Sequence, residues 1–497
     1  AYDIGLGIPA EPLFRSSVLL SNLFNSVFTL QDGEADFNGV NPGRCFKDLK
    51  NHNPCMTQKF TADPGVMEYN GRVYVYGTND GYLQGNTPAK NEYGNIKSLN
   101  VMSSADLVNW SDHGTINVAG SAARWAGNSW APTAGHKTIG GKEKFFLYFA
   151  NNASGIGVLV SDSPTGPFTD PIGKALISRQ TPNCNVEWLF DPAVLVDTDG
   201  SGYLYFGGGV PNGKQADPQT IRAVKLGDDM TSLSGNAVNI NAPWSFEDSG
   251  INKIGNTYLY SYCTNWSGGP YGNAKIAYMT GSSPLGPFTY AGTCLNNPGD
   301  FFQTVGNNHH TIIEFKGKYY IFYHAEWLNK EAYGSMLGYR TTHVDVMPVN
   351  GEKFGDAKGT LSGVEQVGEV DPYSDNYFRT SAWQSGIQVN GLGDTTVTYH
   401  KGSWTGVAGV NFSKGGKSIT VNGAGNGSIR ISVESPSGKV LGYVKVGTGD
   451  NNKFEDVTAD ISGAEGKVNL FFVASGDVTL KSNRRSEERR VGKECRS

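Results

Sequence analysis

Residues 60–77 have the sequence FTADPGVMEYNGRVYVYG, which is the pattern of a β-hairpin. Asp63 opens a short apolar strand, and Asn70-Gly71 supplies the positive φ angles that a two-residue hairpin turn requires. Tyr74-Val75-Tyr76 then returns as a strand of aromatic and β-branched residues. Because this pattern recurs along the chain, the hairpin indicates the architecture of the whole first domain.

Aromatic-aliphatic-aromatic triplets occur four more times, each just after a turn that contains Gly or Lys. They are Phe146-Leu147-Tyr148, Tyr203-Leu204-Tyr205, Tyr258-Leu259-Tyr260 and Tyr320-Ile321-Phe322. The central residues of the five triplets are separated by 72, 57, 55 and 62 positions, which leaves room for about four strands in each repeat. We therefore predict an all-β fold that begins with a five-bladed β-propeller, with a β-sandwich of similar length as the alternative.

Polar residues stand at nearly equal distances before four of the triplets. Asp63, Asp191, Glu247 and His309 precede the central triplet residue by 12, 13, 12 and 12 positions. The second repeat instead has Trp130-Ala-Pro-Thr133, 17 positions before its triplet centre. Since the first strand of each blade lines the channel of a propeller, we expect these side chains to meet at one mouth. Glu68, Asp197 and Asp248 are interpreted as solvated turn or edge charges.

Length and composition limit the function. The 497-residue chain can hold a propeller of about 300 to 350 residues and a second domain. Its net charge of −5 argues against a nucleic-acid partner. The absence of an 18-residue apolar run argues against a membrane span. Residues 18–30 are apolar but lack a small-residue cleavage site, so they do not indicate a signal peptide. The six cysteines lack Cys-x-x-Cys spacing, so we expect buried free thiols, with a Cys45–Cys55 disulfide as the alternative.

A change of pattern divides the chain into domains. We assign residues 1–365 to the propeller, with 1–59 as an N-terminal extension that helps to close the ring, and residues 366–376 to a linker. Residues 377–482 lack the triplets and show short alternating strands between Gly, Asn and Ser turns, which indicates a β-sandwich or jelly roll. Residues 483–497 are dense in charge and resemble vector-derived sequence.

The three carboxylates suit one chemistry. Two carboxyl groups that flank a bond, one as acid and one as base, are the usual minimum for hydrolysis of a glycoside. A further acidic group beside the acid raises its pKa by repulsion and keeps it protonated near neutral pH.

Three motifs resemble the catalytic motifs of glycoside hydrolase family 43, whose members are inverting five-bladed propellers. They are Thr61-Ala-Asp63-Pro64, Leu189-Phe-Asp191-Pro192 and Phe246-Glu247-Asp-Ser-Gly-Ile251. Trp130-Ala-Pro132, Asn307-Asn-His-His310 and Gly338-Tyr-Arg340 are similar to further family motifs, in the same order. The resemblance implies that Asp63 is the general base, that Glu247 is the general acid, and that Asp191 tunes and orients Glu247.

The same resemblance implies roles for residues around the carboxylates. His309 is expected to face the channel, to contact the substrate and to hold a hydrated calcium ion, with a buried histidine as the alternative. His310 is expected to pack on the opposite face of its strand. The planar guanidinium of Arg340 suits sugar hydroxyls or an active-site carboxylate, with a surface salt bridge as the alternative. Trp130 and Trp266 would stack on a pentose, with packing in the core as the alternative.

The final domain is similar to a family 6 carbohydrate-binding module. The similarity lies in Trp383-Gln-Ser-Gly-Ile387, Thr405-Gly-Val-Ala-Gly-Val-Asn-Phe412 and Gly425-Asn-Gly-Ser-Ile-Arg-Ile431. Trp404 stands where the family has its first aromatic platform, whereas Phe454 stands near the place of the second tryptophan. Sugar binding and packing against the propeller both remain open for this domain.

Together the motifs predict an inverting exo-glycosidase that releases terminal xylose or arabinofuranose from xylo-oligosaccharides or arabinoxylan. The alternatives are a non-catalytic carbohydrate-binding propeller and a retaining fructan-type hydrolase. The latter family expects Asn and Cys where this chain has Ala62 and Asp248. We expect a secreted or extracellular protein with no nucleic-acid or membrane partner.

Overall fold

The computed structural model describes residues 31–267 and 269–486, and its first domain is a ring of five β-sheets. The five-bladed propeller is therefore confirmed, and the sandwich alternative for this part of the chain is wrong. The interpretation of residues 18–30 and most of the predicted tail lie outside the described residues. No helix within the described ranges is long and apolar enough to cross a membrane.

Each blade is an antiparallel meander whose first strand lies nearest the channel. Blade 1 contains β1 (Lys59–Tyr69), β2 (Arg72–Tyr82), β3 (Ser98–Ser104) and β4 (Trp110–Asn117), and blade 2 contains β5 (Trp130–Ile139), β6 (Lys142–Ala150), β7 (Gly155–Ser161) and β8 (Ile177–Ser178). Blade 3 contains β9 (Ala193–Val196), β10 (Gly202–Gly207), β11 (Ile221–Lys225) and β12 (Val238–Ile240). Blade 4 contains β13 (Ser245–Ile254), β14 (Thr257–Thr264), β15 (Ile276–Gly281) and β16 (Thr289–Leu295).

Blade 5 has three strands in the described structure, β17 (His310–Phe315), β18 (Lys318–Ala325) and β19 (Thr341–Val346). The N-terminal extension runs beside β19 without forming a strand there: Cys55 N–H donates to the Thr342 carbonyl at 2.9 Å. The Asn53 side chain also donates to the Val344 carbonyl and accepts from the Val344 N–H, both at 2.9 Å. These bonds satisfy backbone groups of β19 that an outer strand would otherwise pair.

The ring is held together by five hydrophobic clusters, one between each pair of neighbouring blades. The triplets lie in the second strand of every blade and supply apolar side chains to both faces of that strand. In blade 2, for example, Leu147 packs toward blade 1, whereas Phe146 and Tyr148 pack toward blade 3. This explains the triplets, because the second strand is buried on both faces and each face needs a large apolar side chain.

Shorter elements complete the first part of the chain. They are the 3-10 turns Glu34–Phe37 and Tyr93–Asn95, the α-helices Pro298–Phe302 and Trp327–Tyr333, and the small hairpin of β20 (Val349–Asn350) and β21 (Lys353–Phe354). Cys45, Cys55, Cys184, Cys263 and Cys294 are free thiols.

The second domain is a β-sandwich around its own apolar core. Its strands are β22 (Asn376–Tyr377), β23 (Thr380–Ser381), β24 (Trp383–Ser385), β25 (Gln388–Asn390), β26 (Thr396–Tyr399), β27 (Trp404–Val433), β28 (Val440–Gly447), β29 (Glu455–Ala474) and β30 (Asp477–Ser486). The predicted tail begins too early, because residues 483–486 belong to β30 and pair with β27. Arg485 is buried there with its guanidinium over the Phe472 ring.

The two domains share a sheet and a core. β23 pairs with β4, so the second domain adds a strand to the outer edge of blade 1. A mixed cluster includes Phe37 and Val40 from the extension and Trp383, Trp404 and Phe471 from the sandwich. The predicted linker is packed as well: Gln366 donates to Asp106 of the propeller and to the Ala408 carbonyl of the sandwich, both at 3.0 Å.

Candidate active site

Four residues at the channel mouth share an unusual backbone conformation. Asp63, Ala131, Asp191 and Asp248 have φ angles of 49°, 39°, 48° and 64°. Each lies at the start of the first strand of blades 1 to 4, and in β1, β5 and β13 the pairing register shifts at this point. Because non-glycine residues occupy this region only at some energetic cost, its repetition around the ring marks the mouth as a candidate functional site.

Backbone N–H groups at three of these positions, and that of His310 at the start of β17, join neighbouring blades. The bonds run from Asp63 N to His324 Nδ1 (3.0 Å), from Ala131 N to Thr78 Oγ1 (2.8 Å), from Asp248 N to Asp191 Oδ2 (3.1 Å) and from His310 N to Asp248 Oδ2 (3.1 Å). The side chains at the mouth are therefore fixed by the same contacts that hold the ring together.

Asp63 is a buried carboxylate surrounded by donors. Arg340 Nη1 donates to its Oδ1 at 3.0 Å, and Thr78 Oγ1 donates to its Oδ2 at 2.7 Å. Burial alone would raise the pKa of Asp63, but the Arg340 charge and the nearby His324 and His309 rings outweigh burial and hold this pKa well below its ordinary value. This environment favours the ionised form of Asp63, which is the form that a general base requires.

Glu247 has the opposite character. Phe246, its neighbour in β13, contacts Trp188 and Trp266 edge to face. No hydrogen-bond partner among the described residues reaches its buried Oε1 atom. Burial, together with the charges of Asp63 and Asp248, raises the pKa of Glu247 to about 8. Near neutral pH this carboxyl group therefore carries the proton that a general acid needs.

Asp191 is a buried carboxyl group at the same mouth. Its Oδ2 accepts the Asp248 N–H, and burial, followed by the Glu247 and Asp63 charges, raises the pKa of Asp191 well above its ordinary value. The structure therefore brings Asp63, Asp191 and Glu247 together around one mouth. The charges that raise the pKa of Glu247 are those of Asp63 and Asp248, so the predicted role of Asp191 as its tuning group stays a prediction.

His309 stands at the centre of this group. Its Nδ1 atom lies 3.7 Å from both Asp63 Oδ1 and Asp191 Oδ2, and its Nε2 atom lies 3.2 Å from Asp248 Oδ1. Burial lowers the pKa of His309, although the Asp248 and Asp63 charges oppose this effect. His310, as its place in the strand suggests, turns away: it is fully buried and bonded to Asp248 and Ser261.

The interpretation of Asp248 as a solvated charge is wrong, because this residue is fully buried at the channel mouth. Asp197 is also not a free surface charge, since it pairs with Lys253 at 2.6 Å between blades 3 and 4. Glu68 accepts the Gly71 N–H at 2.8 Å and is the turn charge that the sequence indicates.

Arg340 is placed on an active-site carboxylate, the second of its two predicted roles. Besides Asp63 it binds Asp80 through Nε at 2.8 Å and Nη2 at 2.9 Å, and its guanidinium lies 4.5 Å from the centre of the Tyr93 ring. Only 4 % of the residue is exposed. Sequence reasoning did not find Asp80, because nothing in the sequence links it to a residue 260 positions away.

The two predicted sugar-stacking tryptophans are partly buried, Trp130 at the start of β5 and Trp266 just after β14. Trp130 donates from Nε1 to the Tyr93 carbonyl at 2.9 Å and packs against the core between blades 2 and 3. Trp266 lies edge to face with Phe246 and packs against the core between blades 4 and 5. Both residues keep an exposed part, so contact with a sugar stays a prediction.

The side chains around His309 bear on the predicted calcium ion. Within the described residues, no group of three or more His, Cys, Asp or Glu side chains is arranged to enclose a metal. The donors near Nδ1 are carboxylate oxygens at 3.7 Å, which suit hard cations and their bound waters. The described side chains thus form no direct cage for a metal, and an ion here would keep most of its water and take one nitrogen from His309; the calcium ion stays a prediction.

Trp404 is not available as a sugar platform. It is 2 % exposed, its Nε1 donates to the Gly43 carbonyl at 2.7 Å, and its ring packs on Phe471 under the N-terminal extension. The structure thus favours the packing role for this face of the second domain.

A five-bladed propeller with an ionised carboxylate, a protonated one and a third acid at one mouth defines a glycoside hydrolase of the acid and base type. The family model for glycosyl hydrolases family 43 matches residues 52–350, and that for carbohydrate binding module family 6 matches residues 379–483. The chain belongs to glycoside hydrolase family 43 and carries a C-terminal family 6 module, so both resemblances are confirmed.

Relatives extend the similarity over both domains. The chain is 43 % identical over 457 residues to an arabinoxylan arabinofuranohydrolase of Paenibacillus polymyxa, covering 86 % of this chain and 72 % of the relative. It is 43 % identical over 468 residues to one of Bacillus subtilis (strain 168), covering 87 % and 91 %. A solved family 43 arabinoxylan arabinofuranohydrolase from Bacillus subtilis, in complex with cellotetraose, aligns with a TM-score of 0.85 at 41 % identity, over 89 % of this chain and 99 % of that chain.

Proposed function

We propose that the protein is an inverting glycosidase that removes terminal L-arabinofuranosyl units from arabinoxylan. The observation that carries the proposal is the opposed environment of two carboxyl groups at one mouth. Asp63 accepts hydrogen bonds from Arg340 and Thr78, which favours its ionised form, whereas the buried Oε1 of Glu247 has no donor among the described residues, and burial raises the pKa of Glu247 to about 8. The names of the relatives that are 43 % identical support arabinoxylan as the substrate and arabinofuranose as the product.

In the proposed reaction, Glu247 donates its proton to the glycosidic oxygen as the bond to the sugar breaks. Asp63 accepts a proton from the water that attacks the opposite face of the sugar, so the product has the inverted configuration. Arg340 keeps Asp63 ionised, and Asp191 orients the groups between them. A calcium ion, held by His309 and water, would supply positive charge that offsets the crowded carboxylates.

The mouth also excludes water from the acid. Phe246, next to Glu247 in β13, contacts the rings of Trp188 and Trp266, so aromatic side chains lie beside this part of the strand. Burial keeps the carboxyl group of Glu247 poorly solvated. A pentose that contacts these rings would replace water at the same surface.

We also propose that the enzyme acts outside the cell, because a polysaccharide does not cross a membrane intact.

The experiment measures arabinose and xylose released from arabinoxylan and from linear xylo-oligosaccharides. Asp63→Asn and Glu247→Gln should each lower kcat by about 100-fold or more. Asp197→Asn is the matched control, because it removes a carboxylate between two blades away from the mouth. Proton NMR of the first product anomer tests the stereochemistry. Wild-type rates in either active-site variant, or a retained anomer, would overturn the mechanism, and release of xylose alone would overturn the substrate.

A further inference from the structure

At the start of blade 2 the chain has an alanine where blades 1, 3 and 4 have an aspartate. Ala131 has a φ angle of 39°, in the left-handed region that the three aspartates also occupy, but its side chain is only a methyl group. Its backbone N–H donates to Oγ1 of Thr78, in β2 of blade 1, at 2.8 Å. Blade 2 therefore enters the site through a backbone group, and Thr78 is the residue that receives it.

The hydroxyl group of Thr78 has one proton, and the contact with blade 2 decides where that proton points. An amide N–H can only donate, so Oγ1 accepts from Ala131 and must direct its own O–H elsewhere. The acceptor is Oδ2 of Asp63, at 2.7 Å. Thr78 is 1 % exposed, so bulk water does not compete for this proton. The two bonds form a chain from the Ala131 amide through Thr78 to Asp63, in which each bond strengthens the other.

Two glycines let the backbones around this chain of bonds approach closely. A Cβ atom on Gly77 would lie 2.5 Å from the Ala62 carbonyl oxygen, and one on Gly65 would overlap the Pro132 carbonyl oxygen. Since no side chain fits at either place, β1 lies directly against both β2 and β5. Thr78 follows Gly77, so rigid backbone sets its distance to the proposed base and to blade 2.

Asp63 is held through both of its oxygens. Oδ2 accepts from Thr78, and Oδ1 accepts from Arg340, just before β19, at 3.0 Å. Donors on both oxygens oppose rotation of the carboxylate about its Cβ–Cγ bond. Each carboxylate oxygen has two lone-pair positions, so each keeps one for a further donor. Thr78 and Arg340 together therefore set the directions in which Asp63 can accept the proton of a water molecule.

We propose that Thr78 is a positioning residue that holds the general base in the orientation needed to activate water. The Ala131 amide fixes the Thr78 hydroxyl, and the hydroxyl fixes the plane of the Asp63 carboxylate. The proposal rests on the proposed function, since it takes Asp63 to be the base. It also explains how residues 130–132 serve the site without a polar side chain at Ala131, because their backbone orients the base of the neighbouring blade.

Thr78→Val and Thr78→Ser test the proposal on arabinoxylan. Valine keeps the shape of the side chain but has no hydroxyl, so Asp63 Oδ2 loses its donor and the carboxylate can turn about its bond with Arg340. We expect kcat to fall by about 10- to 100-fold, as a small misplacement of a catalytic group does, while KM changes by less than about 2-fold. Serine can make both bonds, so Thr78→Ser should keep kcat close to the wild-type value.

A matched control and a double-variant cycle separate positioning from loss of stability. The Thr133 hydroxyl accepts the Val194 N–H of blade 3 at 3.3 Å, and among the described residues it donates to no carboxylate. Thr133→Val should therefore keep kcat. In Asp63→Asn the base is absent, so adding Thr78→Val should lower kcat no further. A merely structural effect of Thr78→Val would instead multiply with the effect of Asp63→Asn.

All rates are measured below the Tm of every variant, because Thr78→Val also leaves the Ala131 N–H without its acceptor. If the valine variant does not fold, Thr78→Ala takes its place and is held to the same expectations. Wild-type kcat in this variant, a fall no larger than that of Thr133→Val, or a full additional loss in the Asp63→Asn background would overturn the proposal. Wild-type kcat in Asp63→Asn would overturn the proposed function instead, so the two failures are distinguishable.

Discussion

Arg340 Nη1 donates a 3.0 Å hydrogen bond to Asp63 Oδ1, while Nε and Nη2 of the same guanidinium donate to Asp80. The two buried carboxylates therefore share one cation, and the planar fork of arginine is what allows both contacts. Asp80 holds the guanidinium in place, and the remaining nitrogen, Nη1, stabilises the ionised form of Asp63, the proposed base.

Arg340→Lys should move the acidic limb of the kcat/KM profile. A lysine ammonium cannot bind both carboxylates, so burial should then prevail and raise the pKa of Asp63 above its ordinary value. Because the base must be ionised, activity should then be lost at a higher pH than in the wild type. The profile is measured on an aryl arabinofuranoside from pH 4 to 10, and an acidic limb that does not move would contradict this role of Arg340.

The ionisation of Glu247 should set the alkaline limb of the kcat/KM profile against pH. Its pKa is raised to about 8 by burial and by the charges of Asp63 and Asp248, and the acid works only when protonated. We expect kcat/KM on arabinoxylan to be level below that pH and to fall about tenfold per pH unit above it. Glu247→Gln supplies the control, since it should lose far less activity on a p-nitrophenyl glycoside, whose leaving group needs no proton. Full activity at pH 10 would contradict the assignment.

Replacement of Glu247 should also stabilise the fold. The pKa of this group is about 8 in the folded protein, above the value of 4.5 that an unperturbed Glu has. As the pH rises from 4.5 to 8, Glu247 ionises in the unfolded state but stays protonated in the folded state, which lowers the free energy of unfolding of the wild type. Glu247→Gln removes that loss. At pH 7 we expect an increase of about 1 to 3 kcal/mol in the free energy of unfolding. The increase should vanish near pH 4, where both states hold the proton; a gain that persists there would have another cause.

The sequence predicted the ring because its apolar signal is strong. All five triplets lie in the second strand of a blade, where both faces are buried between neighbours, so aromatic and aliphatic residues are required in succession. Counting back from the triplets then reached Asp63, Asp191 and His309, since the first strands of the blades start at similar distances.

The same counting missed Asp248 for a physical reason. Alternation along a strand places Glu247 and Asp248 on opposite faces, so only one of them was expected at the channel. The register shift between Glu247 and Ser249, with a φ of 64° at Asp248, instead turns both residues into the site. A bulge of this kind depends on pairing with β14 and has no local signal in the sequence.

The sequence could not decide whether Trp404 is buried or exposed, because the residues that cover it lie about 360 positions earlier in the chain. Trp404→Ala should destabilise the protein by about 3 to 5 kcal/mol, as expected when a large buried side chain is removed. Phe454→Ala, at a partly exposed position, should cost much less. Retention on an arabinoxylan affinity gel should be the same for both variants as for the wild type. A loss of retention by Trp404→Ala without a loss of stability would restore Trp404 as a sugar platform.

Calcium should stabilise the protein through His309. An ion that binds only the folded state raises the free energy of unfolding by about 2.7 kcal/mol when its concentration is 100 times Kd. Removal of divalent ions with EDTA should therefore lower Tm and change kcat, and returned calcium should restore both. His309→Gln is the matched variant: it lacks the imidazole nitrogen, so its Tm should no longer respond to calcium. The calcium prediction is wrong if the Tm and kcat of the wild type are the same in EDTA and in millimolar calcium, because the carboxylates around His309 would then be balanced by Arg340 and their own protons alone.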